Sequence, residues 1–164
     1  MRYIGIDLSS KTGLVAINQE NKILMAEEIQ GDSNEDPKRM VSLTEKILQR
    51  LDAKDKIMIE GFSYGSRGRG VSFQFGLGHY VRNELYKYGF DYKIVAPGQL
   101  KKFASGKGNT SKDNMILPIY KKWGFEHESD NVRDAFVLAK IGQAFNQGND
   151  LLKYENEVIE ELKK

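Results

Sequence analysis

The chain has 164 residues, 40% of them hydrophobic and 29% charged, with a formal net charge of +2. That is enough for one domain with a sizeable core, and it holds no apolar run long enough to span a bilayer and no signal-peptide pattern, so a cytoplasmic protein is expected. Cysteine is absent and only two histidines occur, which excludes disulfides, thiol nucleophiles and cysteine-bound zinc and leaves carboxylates as the ligands for any metal, a preference that favours magnesium or manganese.

Residues 1–16 read MRYIGIDLSSKTGLVA. Tyr3, Ile4, Ile6 and Leu8 form a short apolar run without helical period, residues 11–13 carry turn chemistry, and a second apolar run covers 14–17. The pattern predicts a buried strand, a tight turn and an antiparallel partner. Asp7 lies inside the first run, where an ionised carboxylate is costly unless a cation or a donor satisfies it. It is either a metal ligand facing a cleft or the residue that ends the strand and caps the turn through Ser9 or Ser10. Gly5 leaves one neighbouring face free of side chain. Residues 22–26 predict a third strand that completes an antiparallel meander.

After a polar loop at 31–36, Asp36 is expected to cap a helix with Pro37 at its first position. Met40, Val41, Thr44, Ile47, Leu48 and Leu51 recur at helical spacing over 37–51. Residues 56–60 predict a fourth strand ending in Glu60, a second acid at a strand's carboxyl end, the edge where open α/β sheets bind ligands. A flexible loop with two arginines, 63–70, leads into a helix over 73–89 that contains Gly76 and Gly78. A fifth strand at 92–96 and a short helix at 99–104 follow. Thr110 or Ser111 is expected to cap a further helix, which Pro118 should kink. The last core helix spans 129–146, and a break at 148–150 opens a charged terminal helix within 149–164. The expected organisation is one domain over residues 1–164.

The small net charge hides a segregation. Residues 61–122 carry 11 basic and 3 acidic side chains, a balance of +8, while the flanking segments are acidic. Aromatic residues lie between these charges, the footprint of a polyanion-binding surface. Its candidate contacts are Arg67, Arg69, Lys101, Lys102, Lys107 and Lys112.

Four acids carry the candidate chemistry: Asp7, Glu60, Asp130 and Asp134. Asp130 and Asp134 stand one helical turn apart on one face, and Ala135 and Ala139 would let their helix lie close to the sheet. Bare carboxylates about 4 Å apart repel by about 4 kcal/mol at intermediate dielectric. Two divalent ions about 3.5–4 Å apart would remove that penalty and suit in-line attack on a phosphodiester. Asp130 either joins this set or caps its helix, and Asn131, three residues before Asp134, could share or replace its role.

The segments IGIDLSSKTGLVA, IEGF and SDNVRDAFVLA resemble the ribonuclease H-like superfamily and, within it, the RuvC-type Holliday junction resolvases, especially their phage members. The resemblance covers about residues 2–147. It implies an α/β ribonuclease H-like fold, with a five-stranded mixed sheet flanked by helices. It implies a four-acid site of Asp7, Glu60 and Asp134 with Asp130, although the bacterial pattern spaces its last two acids by three. It implies Mg2+ as cofactor, with Mn2+ able to substitute. Lys101 and Lys112, eleven positions apart, match the family's two basic residues, which would contact phosphate or support transition-state charge. Phe73 and Phe75, with Tyr64 behind them, are candidates for the family's aromatic at the junction centre.

The implied activity is magnesium-dependent cutting of four-way and other branched DNA by a homodimer with two active sites. Other ribonuclease H-like nucleases, acting on RNA–DNA hybrids or ribosomal RNA, share the fold, and a non-catalytic branched-DNA binder is a further alternative. GIDLSSKTG also resembles the first phosphate loop of actin-like ATPases and sugar kinases. Those folds need a second such domain and a later glycine-rich adenosine motif, which 164 residues do not supply.

Overall fold

The computed structural model describes residues 1–65, 67–68, 70–148 and 150–164. Five strands form one mixed sheet: β1 (Arg2–Asp7), β2 (Lys11–Asn18), β3 (Ile23–Gln30), β4 (Lys56–Glu60) and β5 (Asp91–Val95), in the order β3-β2-β1-β4-β5. The first three pair antiparallel as a meander, and β4 and β5 add in parallel on the other side of β1. Six helices flank the sheet: α1 (Lys38–Leu48), α2 (Val71–Lys87), α3 (Pro97–Ser105), α4 (Lys112–Trp123), α5 (Asp130–Gln147) and α6 (Lys153–Lys163). No helix among the described residues is long and apolar enough to cross a membrane.

Both faces of the central strands are covered, which is why β1 reads as a nearly continuous apolar run. Ile4 and Ile6, with Leu14, Ala16, Ile57 and Ile59, pack beneath α1 and α2. Tyr3, Val15, Ile17 and Met58 point the opposite way, towards α5 and the helices around it. Strand alternation puts Gly5 and Asp7 on the same face as Tyr3. Gly5 and Gly13 are where α5 comes closest. A methyl on Gly5 would overlap the carbonyl oxygen of Ala135 and lie 2.6 Å from the amide nitrogen of Ala139, and one on Gly13 would overlap the backbone of Asn131.

Several boundaries differ from expectation for identifiable reasons. The first turn is residues 8–10, and Lys11, Thr12 and Gly13 are already strand. Ser9 builds that turn: its carbonyl accepts from Thr12 Oγ1 at 2.7 Å and its hydroxyl accepts from the Lys11 amide at 3.1 Å. Gly13 serves helix approach, not a turn. β3 runs to Gln30 because it pairs along β2 as far as Lys11; as a polar edge strand it showed little apolar signal. α1 starts at Lys38 with Pro37 in the cap position, and the Asp36 carboxylate pairs with the Arg39 guanidinium at 2.6 Å instead of capping. α4 runs unbroken through Pro118, with Ser111 accepting from the Asn114 amide as its cap. Ser129 caps α5, accepting from the Val132 amide, so Asp130 is the first helical residue and not the cap.

Replacing Gly5 with Ala should force α5 off the sheet. We expect a loss of about 3 kcal/mol or more in urea unfolding, the upper end for overpacking. Gly98→Ala, whose added methyl would meet its nearest atom at 3.7 Å, should stay within about 0.5 kcal/mol of wild type.

Candidate active site

The paired register of β1 and β4 sets Ile6 beside Ile59, so Asp7 and Glu60, one residue further on, end neighbouring parallel strands side by side. The close approach of α5 brings Asp134 over Asp7 from above the sheet. Asn131 latches this end of α5 to the sheet, its side-chain amide donating to the Lys11 carbonyl at 2.7 Å. That bond commits Asn131 to the backbone of β2. Asp7 and Asp134 are only 5% and 6% exposed. Asp130 stands further out, with its side chain 43% exposed.

Lys112, the first residue of α4, closes the group. Its ammonium donates to Asp130 Oδ2 at 2.6 Å and lies 3.5 Å from Asp134 Oδ2. The cleft lined by Asp7, Asp134 and Lys112 has a volume of about 260 Å3; Glu60, Phe62, Phe75, Arg82 and Lys101 also line it.

Burial dominates the electrostatics. It pushes the Asp7 carboxyl well above the ordinary range, and the neighbouring Glu60 charge adds to this. Glu60 is raised for the same reason, although a hydrogen bond from Asp7 favours its ionised form. Burial thus disfavours the ionised form of both carboxyl groups, more strongly at Asp7. Burial and the Asp7 charge raise Asp134 to about 6. Asp130 is lowered by its hydrogen bond from Lys112. Burial disfavours the Lys112 ammonium, but the Asp130 hydrogen bond and the fields of Asp134 and Asp7 outweigh it and raise the group.

All the acidic donors here are hard carboxylate oxygens, the set that suits magnesium or manganese. Three of them lie inside with too little positive charge to balance them, which is the electrostatic condition a divalent cation satisfies. The acids are not drawn into a closed cage: among the described residues no three acidic or histidine side chains converge tightly enough to enclose an ion. Lys112 supplies the balancing charge at the outer side, and its half-exposed side chain can swing away.

The basic and aromatic candidates divide. Lys101 lines the cleft. Lys102 is not on the cleft wall and pairs with Glu157 of α6 at 2.9 Å. Lys107 is exposed in the loop after α3. Arg67 lies on a second groove with Arg39, Ser9, Ser10 and Phe73, and Arg69 lies outside the described residues. Phe75 stacks on Phe62 with ring centroids 4.5 Å apart and forms the cleft wall. Phe73 leans on the core beneath α1, with the Arg39 guanidinium 3.8 Å over its ring. Both rings are half-buried. Sequence reasoning missed Arg82 and Phe62. The spacing of Phe75, Gly78 and Arg82, three and then four residues apart, marks one helical face and could have found the arginine.

No protein-family model and no curated protein sequence matches the chain. Solved structures of Thermus thermophilus RuvC are similar to it. One has a TM-score of 0.67 at 17% identity and covers 92% of this chain and 99% of its own. Another, RuvC in complex with a Holliday junction substrate, has a TM-score of 0.62 at 18% identity, covering 85% and 90%. The mixed five-stranded sheet with its flanking helices is the ribonuclease H-like fold of RuvC.

Proposed function

We propose that this chain is a divalent-metal-dependent endonuclease that cuts branched DNA, four-way junctions foremost. The observation that carries the reading is that Asp7, Glu60 and Asp134 line one cleft at the carboxyl ends of β1 and β4, in a fold shared with a protein solved on a Holliday junction.

Asp7, Glu60 and Asp134 would hold Mg2+ or Mn2+, with Asp130 at the rim. Bound there, such ions would supply Lewis-acid chemistry, activating a water and stabilising the leaving oxygen of a phosphodiester. The protein's residues do the rest. Asp7 and Glu60 would bind as carboxylates, and a cation would favour the ionised forms that burial opposes. Lys112, freed from Asp130 and Asp134, faces the phosphate and balances charge as the bond breaks. Lys101, on the same wall, grips the backbone. Arg67 extends a basic groove past the turn after β1. Phe75, on the stacked wall of the cleft, offers a ring to an unpaired base. A homodimer would present two clefts to the two-fold shape of a four-way junction. RNA–DNA hybrid cutting is the competing outcome, and a comparison of labelled junction, duplex, fork and hybrid decides it.

With junction DNA and magnesium, wild-type protein should cut, and EDTA should stop it. Asp7→Asn and Asp134→Asn should abolish cutting while junction affinity stays within a few fold. Asp130→Asn should fold normally, within about 0.5 kcal/mol, because Ser129 supplies the helix cap; its loss of cutting then reports on the site alone. A fully active Asp7→Asn protein, or cutting in EDTA, would sink the reading.

Acid burial also sets a pH dependence. Asp134 titrates near 6, above its value of about 4 in an unfolded chain, so the folded form holds a proton that the unfolded chain gives up. Stability from this group is full below about pH 4 and lost as pH rises through about 6. Without divalent cations, wild type should lose about 2–3 kcal/mol between pH 4 and 8 relative to Asp134→Asn. Magnesium should raise the wild-type melting temperature more at pH 8 than at pH 5. Equal magnesium shifts at the two pH values would contradict metal binding by these acids.

Phe75→Ala should reduce the preference for junction over duplex by about tenfold, since base stacking is worth about 1–3 kcal/mol. Phe73→Ala should change it little, because Arg39 and the core hold that ring. Gel-shift titrations of both variants would read this directly.

A further inference from the structure

Arg82 stands apart from the other arginines. Arg2, Arg39 and Arg50 each pair with a carboxylate, Arg133 donates to the His127 and Glu128 carbonyls, and Arg67 is exposed. Arg82 has no acidic partner among the described residues, yet it lies half-buried on the wall of the acid cleft. Its guanidinium rests 4.2 Å over the Phe62 ring, and its Nη2 reaches the Glu60 carbonyl oxygen at 3.4 Å. Its Nε is buried and lacks a hydrogen-bond partner among the described residues.

This placement is built by its neighbours. A side chain at position 78 would collide with Phe62, since even a methyl there would lie 2.8 Å from its ring carbon Cζ. Gly78 thus seats the ring that supports the arginine. Stacking covers one face of a guanidinium and leaves its N–H edge to bind in plane. A buried donor without an acceptor is costly, and a buried cation without a counter-charge is costlier. Both costs are relieved by an anion with several acceptor oxygens. Lys101 on the same cleft wall adds a second positive charge, and Gln74 and Ser63 add neutral donors.

We propose that Arg82 binds a backbone phosphate of the strand entering the cleft, next to the phosphate that is cut. This deepens the nuclease reading and rests on it for the identity of the anion. Phe62 fixes the guanidinium, the Glu60 carbonyl orients it, and the free edge takes the phosphodiester.

The test uses the full chain and a fluorescent four-way junction. In EDTA, Arg82→Met should bind the junction about tenfold more weakly, the scale of one charge-assisted hydrogen bond. Its salt dependence should be flatter by about one neutralised phosphate. Arg82→Gln, which keeps a donor for the Glu60 carbonyl, should do the same and carries the test if Arg82→Met does not fold. In magnesium, junctions with a single methylphosphonate beside the cut should be cleaved more slowly by wild type, but no more slowly than unmodified DNA by the neutral variant. A neutral variant with wild-type affinity and salt slope would overturn the proposal. So would a methylphosphonate penalty equal in wild type and variant at every position tried, which would leave Arg82 a clamp on the end of β4. The EDTA arm needs no cleavage. A wild type that never cuts, but whose affinity and salt slope depend on Arg82, would refute the nuclease reading and support the phosphate contact.

Discussion

Everything at the acid cleft depends on how closely α5 approaches β1 and β2. Helix and sheet usually keep a layer of side chains between them. Here Gly5 and Gly13 remove that layer from the strands, and Ala135 and Ala139 thin it on the helix. The backbone of α5 therefore rests almost on the backbone of the sheet. Only at that separation does a short aspartate on the helix reach an aspartate on the strand beneath. Asn131 adds a polar latch to the Lys11 carbonyl, which holds the helix end against rotation where Asp134 projects.

The rest of the chain offsets the electrostatic cost of that meeting. Burial works against Asp7, Glu60 and Asp134 alike, so the cleft is a place where the folded state is less stable than it could be. Apolar cores on both faces of the sheet supply the compensation, with Ile4, Ile6 and Leu14 on one side and Tyr3, Val15 and Met58 on the other. Each fully buried side chain of this size contributes about 1.5–3 kcal/mol, so a few of them outweigh one misplaced charge. Such local cost, carried by a robust surround, is characteristic of functional sites.

The sequence showed most clearly what periodicity and burial control. The bounds of β4 read directly from KIMIE, and α5 from its run of small and large apolar residues. Asp7 and Glu60 were visible because an acid inside an apolar strand is conspicuous. What stayed hidden depends on contacts distant in sequence. Gly13 looks like a turn residue until a helix more than a hundred positions away is laid against it. Lys102 and Lys101 are adjacent and chemically equal, but one faces Glu157 and the other the cleft, a distinction set by where α6 packs. Asp130 stayed open between ligand and cap because Ser129 and Asp130 are both good caps, and only the structure shows which hydroxyl or carboxylate receives the amide. Arg82 was lost among the charges of a basic segment.

Lys112 has one more consequence. Its ammonium sits against Asp130 and Asp134 with no help from solution ions. Many small metal-binding domains cannot fold until their ion arrives, because the ligands repel one another without it. This chain carries an internal counterion on a flexible tether, rooted at the start of a different helix. The charge that offsets the acids at the outer side of the cleft is therefore part of the chain itself. The same tether leaves the ammonium free to move without disturbing the helix that carries the acids.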